Sequence, residues 1–122
     1  MPVRGIRGAT TLSADTPEEM REAVSELLRT MMLENRIEAV DIASILFTAT
    51  PDIHSIFPAT AARDLELAEV PLICAQELDI RGALSSAVRI LIHVNTDQPQ
   101  SAMKHQFLRG ASVLRPDISS AK

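Results

Sequence analysis

The sequence predicts an α+β domain in which a mixed β-sheet of about five strands packs on one long helix. One segment of about 18 residues carries apolar side chains at helical spacing, and several short apolar segments are bounded by proline or glycine. Hydrophobic residues make up 46% of the chain but aromatic residues only 2%, so the core must be aliphatic. No repeat or linker divides the 122 residues, which fit a single domain spanning 1–122 with a mobile tail at 115–122.

The long helix has a clear start signal. Thr16 is a favourable N-cap, Pro17 suits the first helical position, and Glu19 would complete a T-x-x-E capping box. Apolar residues then recur on one face, opposite the charged residues: Met20, Ala23, Val24, Leu27, Leu28 and Met31. We predict that this face packs on the sheet and that the helix ends near Asn35.

Strands alternate with turns along the rest of the chain. The predicted strands are residues 2–11, 45–50, 70–75, 88–94 and a short one near 106–108, and a helical turn follows Phe57-Pro58 through Arg63. Both faces of these strands carry apolar residues, yet a single helix covers only one face. The other face therefore needs a partner, and we predict a closed, symmetric homo-oligomer.

Composition argues against several classes of function. A pI near 5.3, the absence of Trp and Tyr, and the lack of a basic stripe disfavour a nucleic-acid partner. No apolar run approaches the roughly 20 residues that span a membrane, and the N-terminus lacks a signal-peptide core. The single Cys74 fits a reducing compartment, so we predict a cytoplasmic protein.

Three arginines stand in otherwise apolar segments: Arg7, Arg63 and Arg89. An unpaired guanidinium in such surroundings is unfavourable by several kcal/mol. Each arginine could pair with an internal carboxylate such as Glu77 or Asp79, or the three could bind a small anion. Their occurrence together favours the anion site.

Other chemistry has weaker support in the sequence. Cys74 and Glu77 with His93 or His105 could form a nucleophilic triad, but neither histidine stands at a diagnostic spacing. The histidines are too scattered for a metal site, and no phosphate-binding glycine loop occurs. We therefore predict neither a metal nor a cofactor.

The order of motifs resembles the small trimeric chorismate mutases, whose subunits form a pseudo-α/β-barrel. The resemblance covers essentially the whole chain. The matching stretches are Val3-Arg4-Gly5-Ile6-Arg7-Gly8-Ala9-Thr10-Thr11, Ala49-Thr50-Pro51-Asp52, Phe57-Pro58-Ala59 through Arg63, Val70-Pro71 leading to Cys74, Gln76, Glu77 and Asp79, then Arg89, Thr96-Asp97, Pro99-Gln100, His105 and Leu114-Arg115-Pro116-Asp117.

This resemblance implies an isomerase that converts chorismate to prephenate on the route to phenylalanine and tyrosine. The reaction is a Claisen rearrangement, which needs no nucleophile, metal or cofactor but does need a compact conformer and charge complementarity. It implies that Arg89 meets the ether oxygen of the breaking bond, Arg7 binds a carboxylate, and Glu77 accepts a hydrogen bond from the substrate hydroxyl.

The resemblance also implies a homotrimer with active sites at subunit interfaces. The implied substrate-binding residues are Phe57, Arg63, Cys74, Phe107, Leu114 and Arg115. Two positions depart from the family pattern: Phe107 stands where many members have tyrosine, and Thr60 replaces a basic residue found in some. Strict alternation also puts Cys74 and Glu77 on opposite faces, so they line one pocket only if the strand ends or bulges between them.

Two other functions remain open from the sequence. One is an imine deaminase of a related trimeric barrel class, although its characteristic glycine-proline signature is not evident. The other is a non-catalytic trimer that binds a small carboxylate, which ligand binding without turnover would reveal.

Overall fold

Five strands form one mixed sheet in the computed structural model, which describes residues 1–114. They are β1 (Val3–Thr11), β2 (Ile42–Ala49), β3 (Leu72–Gln76), β4 (Ala87–Asn95) and β5 (Gln106–Phe107), in the spatial order β3-β2-β4-β1-β5. Strand β4 is antiparallel to β1 and β2, whereas β3 runs parallel to β2 and β5 parallel to β1. The predicted α+β class is confirmed, and the predicted strand ends agree within about three residues, as is usual for element boundaries.

Helix α1 (Pro17–Glu34) begins where the sequence predicts, but its capping differs from the predicted box. The Thr16 hydroxyl accepts a hydrogen bond from the Glu19 backbone N–H at 3.1 Å, as an N-cap should. The Glu19 carboxylate, however, accepts hydrogen bonds from the backbone and hydroxyl of Ser13. The Thr16 N–H is already bonded to the Ala14 carbonyl, so the reciprocal half of the capping box is wrong.

One face of the sheet is closed by α1. All six apolar residues predicted for the helix face are fully buried, and they pack against side chains such as Ile6, Phe47 and Ile92. Gly8 allows a close approach, because a Cβ there would collide with the Met31 sulfur. The helix and the sheet therefore complete a hydrophobic core within the chain.

The opposite face of the central strands is less covered. Leu46 on β2 and Leu91 on β4 are only half-buried, and they lie beside the half-buried Arg7 and Arg89. Farther out, Ile73 on the edge strand β3 is 65% exposed. An apolar face left open in this way fits the predicted need for a partner.

The remaining segments are short. The predicted helical turn after Phe57 is present as hydrogen-bonded turns that lead into helix α2 (Thr60–Asp64), and a 3-10 helix (Arg109–Val113) follows β5. Within residues 1–114 no helix is long and apolar enough to cross a membrane. The predicted mobile tail, 115–122, lies outside the described residues.

Candidate active site

Arg89 and Glu77 form the centre of the candidate site. The Arg89 Nε lies 2.9 Å from the Glu77 Oε2, and the Thr48 hydroxyl donates a hydrogen bond to the same oxygen at 2.8 Å. The Arg89 N–H does not point at that oxygen, so the contact is an ion pair rather than a hydrogen bond. Arg89 therefore meets an internal carboxylate, as the alternative from the sequence allowed, while 39% of its side chain stays exposed.

Arg7 occupies the neighbouring strand on the same face. Its guanidinium carbon lies 5.8 Å from the centroid of the Phe107 ring, which is within range of a cation–π contact. Its backbone N–H donates a hydrogen bond of 2.9 Å to the His105 Nδ1, which fixes that nitrogen as the acceptor. Strand β5 and the residue before it thus place an aromatic ring and an imidazole against Arg7.

Arg7, Arg89 and Phe107 line one open pocket of about 220 Å³. Sequence reasoning missed the other six residues that line it, among them the side chains of Leu46, Thr48 and Leu91. The alternation of β2 carries a usable signal, because the neighbours of a buried residue on a strand face the other side of the sheet. The pocket is smaller than the roughly 300–1,000 Å³ of typical ligand sites.

Cys74 and Phe57 line a second pocket of about 440 Å³ at the edge of β3. The strand ends at Gln76 without a bulge, so Cys74 follows Phe47 toward the core while Glu77 faces Arg89. The two pockets share no lining residue. Glu77 lines neither of them, so Cys74 and Glu77 do not meet in either of these two pockets.

Two aspartates fix the loop that carries Phe57. Asp15 accepts hydrogen bonds from the backbone N–H groups of His54 and Ser55, and these bonds, the one from His54 first, lower the pKa of its carboxyl group. The Thr50 hydroxyl is the main cause that lowers the pKa of Asp52, whose carboxylate also accepts a hydrogen bond from the Ser86 backbone. Both carboxylates stay ionised at neutral pH and hold the loop in place.

The remaining predicted residues are distributed around these two pockets. Arg63 is exposed on the last turn of α2, because Ala61 and Ala62 take the positions that face the core; its predicted apolar surroundings are therefore wrong. Leu114 packs against the small cluster formed by Ala9, Phe107 and Ala111, next to the arginine pocket. Arg115 lies outside the described residues.

The contacts of the histidines argue against the nucleophilic triad. His93 is hydrogen-bonded to Ser44 at 2.9 Å, and His105 accepts from the Arg7 backbone, so neither imidazole bridges Cys74 and Glu77. Among residues 1–114, no group of three His, Cys, Asp or Glu side chains could hold a metal ion. What the site offers is a pair of guanidinium groups, one carboxylate and an apolar wall, which suits binding of a small polyanion.

Comparisons with known proteins all find similarity to chorismate mutases, and the similarity covers nearly the whole chain. The family model described as chorismate mutase type I matches residues 3–118. The chorismate mutase AroH of Bacillus subtilis is 43% identical over 123 residues, covering 100% of this chain and 97% of that protein. The chorismate mutase AroH of Thermus thermophilus is 46% identical over 121 residues, covering 98% and 99%.

A solved structure gives the same picture. A chorismate mutase from Clostridium thermocellum superposes with a TM-score of 0.88 at 42% sequence identity. The superposition covers 89% of this chain and 97% of that one.

Proposed function

This chain belongs to the chorismate mutase type I family, and we propose that it rearranges chorismate with Arg89, Arg7 and Glu77 as its catalytic residues. Chorismate mutase is an isomerase of aromatic amino acid biosynthesis, and the predicted enzyme class follows from the family. The observation that supports the assignment of residues is the pocket in which Arg7 and Arg89 open together on one face of the sheet.

Arg89 stabilises the transition state in this proposal. As the C–O bond of the ether breaks and the new C–C bond forms, the ether oxygen gains negative charge, which a guanidinium donor offsets. An arginine has five N–H donors, so a contact at Nε with Glu77 leaves capacity for the substrate. That contact also holds the guanidinium in place before the substrate arrives, which lowers the reorganisation needed during reaction.

Glu77 accepts a hydrogen bond from the substrate hydroxyl in this proposal. Both Thr48 and Arg89 meet its Oε2, so among the described residues the lone pairs of Oε1 are left for a donor from the substrate. Its side chain is only 13% exposed, and a charge-assisted hydrogen bond there is stronger than one in open water. Glu77 thus orients both Arg89 and the ring of chorismate.

Arg7 binds a carboxylate of the substrate, and apolar walls hold the compact conformer. The Phe107 ring lies beneath the Arg7 guanidinium, and Leu114 packs beside that ring. Because guanidinium groups recognise carboxylates through two parallel hydrogen bonds, Arg7 is suited to fix one end of a dianion. Phe107 and Leu114 then exclude water around it.

We propose that the site is completed by a second copy of the chain in a homotrimer. Phe57 and Cys74 line the pocket at the β3 edge, outside the arginine pocket, and Phe57 is 72% exposed. Arg63 follows on helix α2. Packing the open face of one subunit against the β3 edge of the next would bury Phe57 and enlarge the arginine pocket. Arg63 and Arg115 would then bind the outer carboxylate at the mouth of the site.

We propose that the protein is cytoplasmic. Support comes from the single, half-buried thiol of Cys74, which suits a reducing compartment. Fractionation of cells that produce the protein checks this proposal. Recovery of the protein with the secreted or membrane fraction would contradict it.

Turnover of chorismate by the purified chain is the direct test. Loss of chorismate absorbance is followed without added metal or cofactor, and the mass in solution is measured in parallel by light scattering. We expect acceleration by a species of three times 13.3 kDa. Assembled protein that binds chorismate but does not turn it over would support the carboxylate-binding alternative, and a catalytically active monomer would overturn the composite site.

A further inference from the structure

We propose that Arg109 is a positioning residue that locks the C-terminal arm, residues 106–114, against helix α1 and thereby sets the Phe107 and Leu114 wall of the site. Its three guanidinium nitrogens each meet a different carboxylate of α1. This inference rests on the proposed place of the substrate beside Phe107.

We call the contacts of Arg109 with Glu19, Glu22 and Glu26 the Arg109 clamp, and its geometry is specific to arginine. Nη1 lies 3.1 Å from Glu19, Nη2 lies 3.3 Å from Glu22, and Nε lies 3.0 Å from Glu26. These acids stand three and four residues apart, so they form one stripe along the helix. A planar guanidinium can reach all three at once, whereas a lysine ammonium acts as a single point charge.

The arm is attached to the body of the protein by buried apolar side chains, Phe107 and Ala111, and by backbone hydrogen bonds to β1. Strand β5 pairs with β1 over only two residues, Gly8 with Gln106 and Ala9 with Phe107. Beyond it, the Leu108 N–H bonds to the Ala9 carbonyl, and the Gly110 N–H bonds to the Thr11 hydroxyl. Each of these bonds joins the arm to β1. Leu108 also packs against the core, and Asn35 at the end of α1 is hydrogen-bonded to Lys104 just before the arm. Among the described polar contacts, the Arg109 ion pairs are those that join residues 106–114 themselves to α1.

The backbone of Arg109 also indicates a constrained position. Its φ is +52°, in the left-handed region that residues other than glycine seldom adopt. Such a conformation persists only where the surrounding contacts determine it. The clamp thus fixes the direction in which the chain leaves β5, and with it the position of Leu114 five residues later.

Glu19 links the clamp to the start of the helix. Its carboxylate accepts hydrogen bonds from the Ser13 hydroxyl and backbone, which lower its pKa, and it also meets Arg109. Because the folded-state pKa is lowered, this contribution is present above the ordinary value of 4.5 and is lost only as the pH falls through the lowered value. The clamp is therefore intact at neutral pH.

Steady-state kinetics with chorismate tests the proposal. In Arg109→Ala the arm should be ordered in a smaller fraction of molecules, which raises KM by the inverse of that fraction, about fivefold, and leaves kcat within about twofold. The KM of Arg109→Lys should lie between those of the wild type and Arg109→Ala. Arg29→Ala, which removes the same charge from an exposed position of α1, should match the wild type.

Hydrogen exchange of the amides of residues 106–114 supplies a readout that does not depend on activity. Faster exchange in Arg109→Ala together with the raised KM supports the proposal. Faster exchange with an unchanged KM would overturn the positioning role while leaving the enzyme assignment intact. A wild type without turnover would instead reject the function, which separates the two failures.

A milder variant covers the case in which Arg109→Ala does not fold. Glu22→Gln removes one of the three ion pairs at a side chain that is 74% exposed. It should raise KM by less than about twofold, in keeping with the small contribution of a single exposed pair. If both Glu22→Gln and Arg109→Lys have the KM and exchange rates of the wild type, Arg109 does not position the arm.

Discussion

On strand β2, Ile45 and Phe47 face the helix and are at most 1% exposed, whereas Leu46 and Thr48 on the other face stay half-buried. The same alternation on β4 puts buried apolar residues on the helix side and Arg89 on the open side. Each strand therefore belongs to two environments. The helix side is completed within the chain, and the open side carries the charged groups that we propose bind and convert the substrate.

This difference separates stability from activity at the level of single residues. A buried position on the helix side contributes through packing, so its loss is felt in the free energy of unfolding. A position on the open side contributes little to the free energy of unfolding until a ligand or a second subunit covers it. Substitutions of neighbouring residues on one strand should therefore give different kinds of defect.

The largest expected effect is on the helix side. Phe47→Ala should lower the free energy of unfolding by about 3–5 kcal/mol, because it removes a fully buried ring and leaves a cavity. Denaturant unfolding monitored by circular dichroism measures it. Leu46→Ala is the matched control, and it should cost about 1 kcal/mol in dilute monomer. Equal losses for both variants in the monomer would remove the distinction between the faces.

The next effect is on the open side and concerns rate. Arg89→Ala should lower kcat by about 10²–10³-fold with a much smaller change in KM, because it removes a donor that acts in the transition state. Stopped or continuous assays of chorismate loss measure both constants. Arg81→Ala, which removes the same charge from an exposed loop, should be close to the wild type. A change confined to KM would disprove the transition-state role.

Two glycines on β1 sharpen the comparison further. Gly8→Ala should cost about 1–3 kcal/mol, since the new methyl group meets Met31 and lies 3.1 Å from Leu27 on the closed face. Gly5→Ala points to the open face, where the nearest atom, in Leu91, is 3.6 Å away. That variant should be neutral or stabilise by up to about 1 kcal/mol. Thermal unfolding of the two variants measures both changes in stability. A larger loss of stability in Gly5→Ala than in Gly8→Ala would show that the open face is packed.

Much of this architecture could be predicted because it depends on local signals. The T-P-E-E start and the apolar stripe of α1 determine a helix whose buried face is the predicted one. The alternation from Val88 to Val94 determines both the strand and the face on which Arg89 lies. Glu77 is one of the two internal carboxylates that the sequence offered as alternative partners for the arginines, and it is the one that Arg89 contacts.

What escaped prediction depends on contacts between distant segments. Spacing predicts that the Glu19 carboxylate accepts from the Thr16 N–H, but that N–H donates to the Ala14 carbonyl in a local turn. Thr48 gains its role only because the parallel pairing of β2 with β3 sets Glu77 beside it. Arg109 resembles any surface arginine until the arm folds back across about 83–90 residues onto α1.

The smallest effect concerns the wall of the open side. Phe107→Tyr should lower KM about fivefold, because the hydroxyl adds a donor beside the carboxylate that Arg7 is proposed to bind. Phe107 is only 7% exposed, so in the free enzyme the new hydroxyl would lack a partner and Tm should fall slightly. Chorismate or an analogue should then raise Tm more in Phe107→Tyr than in the wild type. A lower Tm without a larger ligand-induced shift would mean that the ring does not face the substrate, and the open face would lose one of its assigned binding residues.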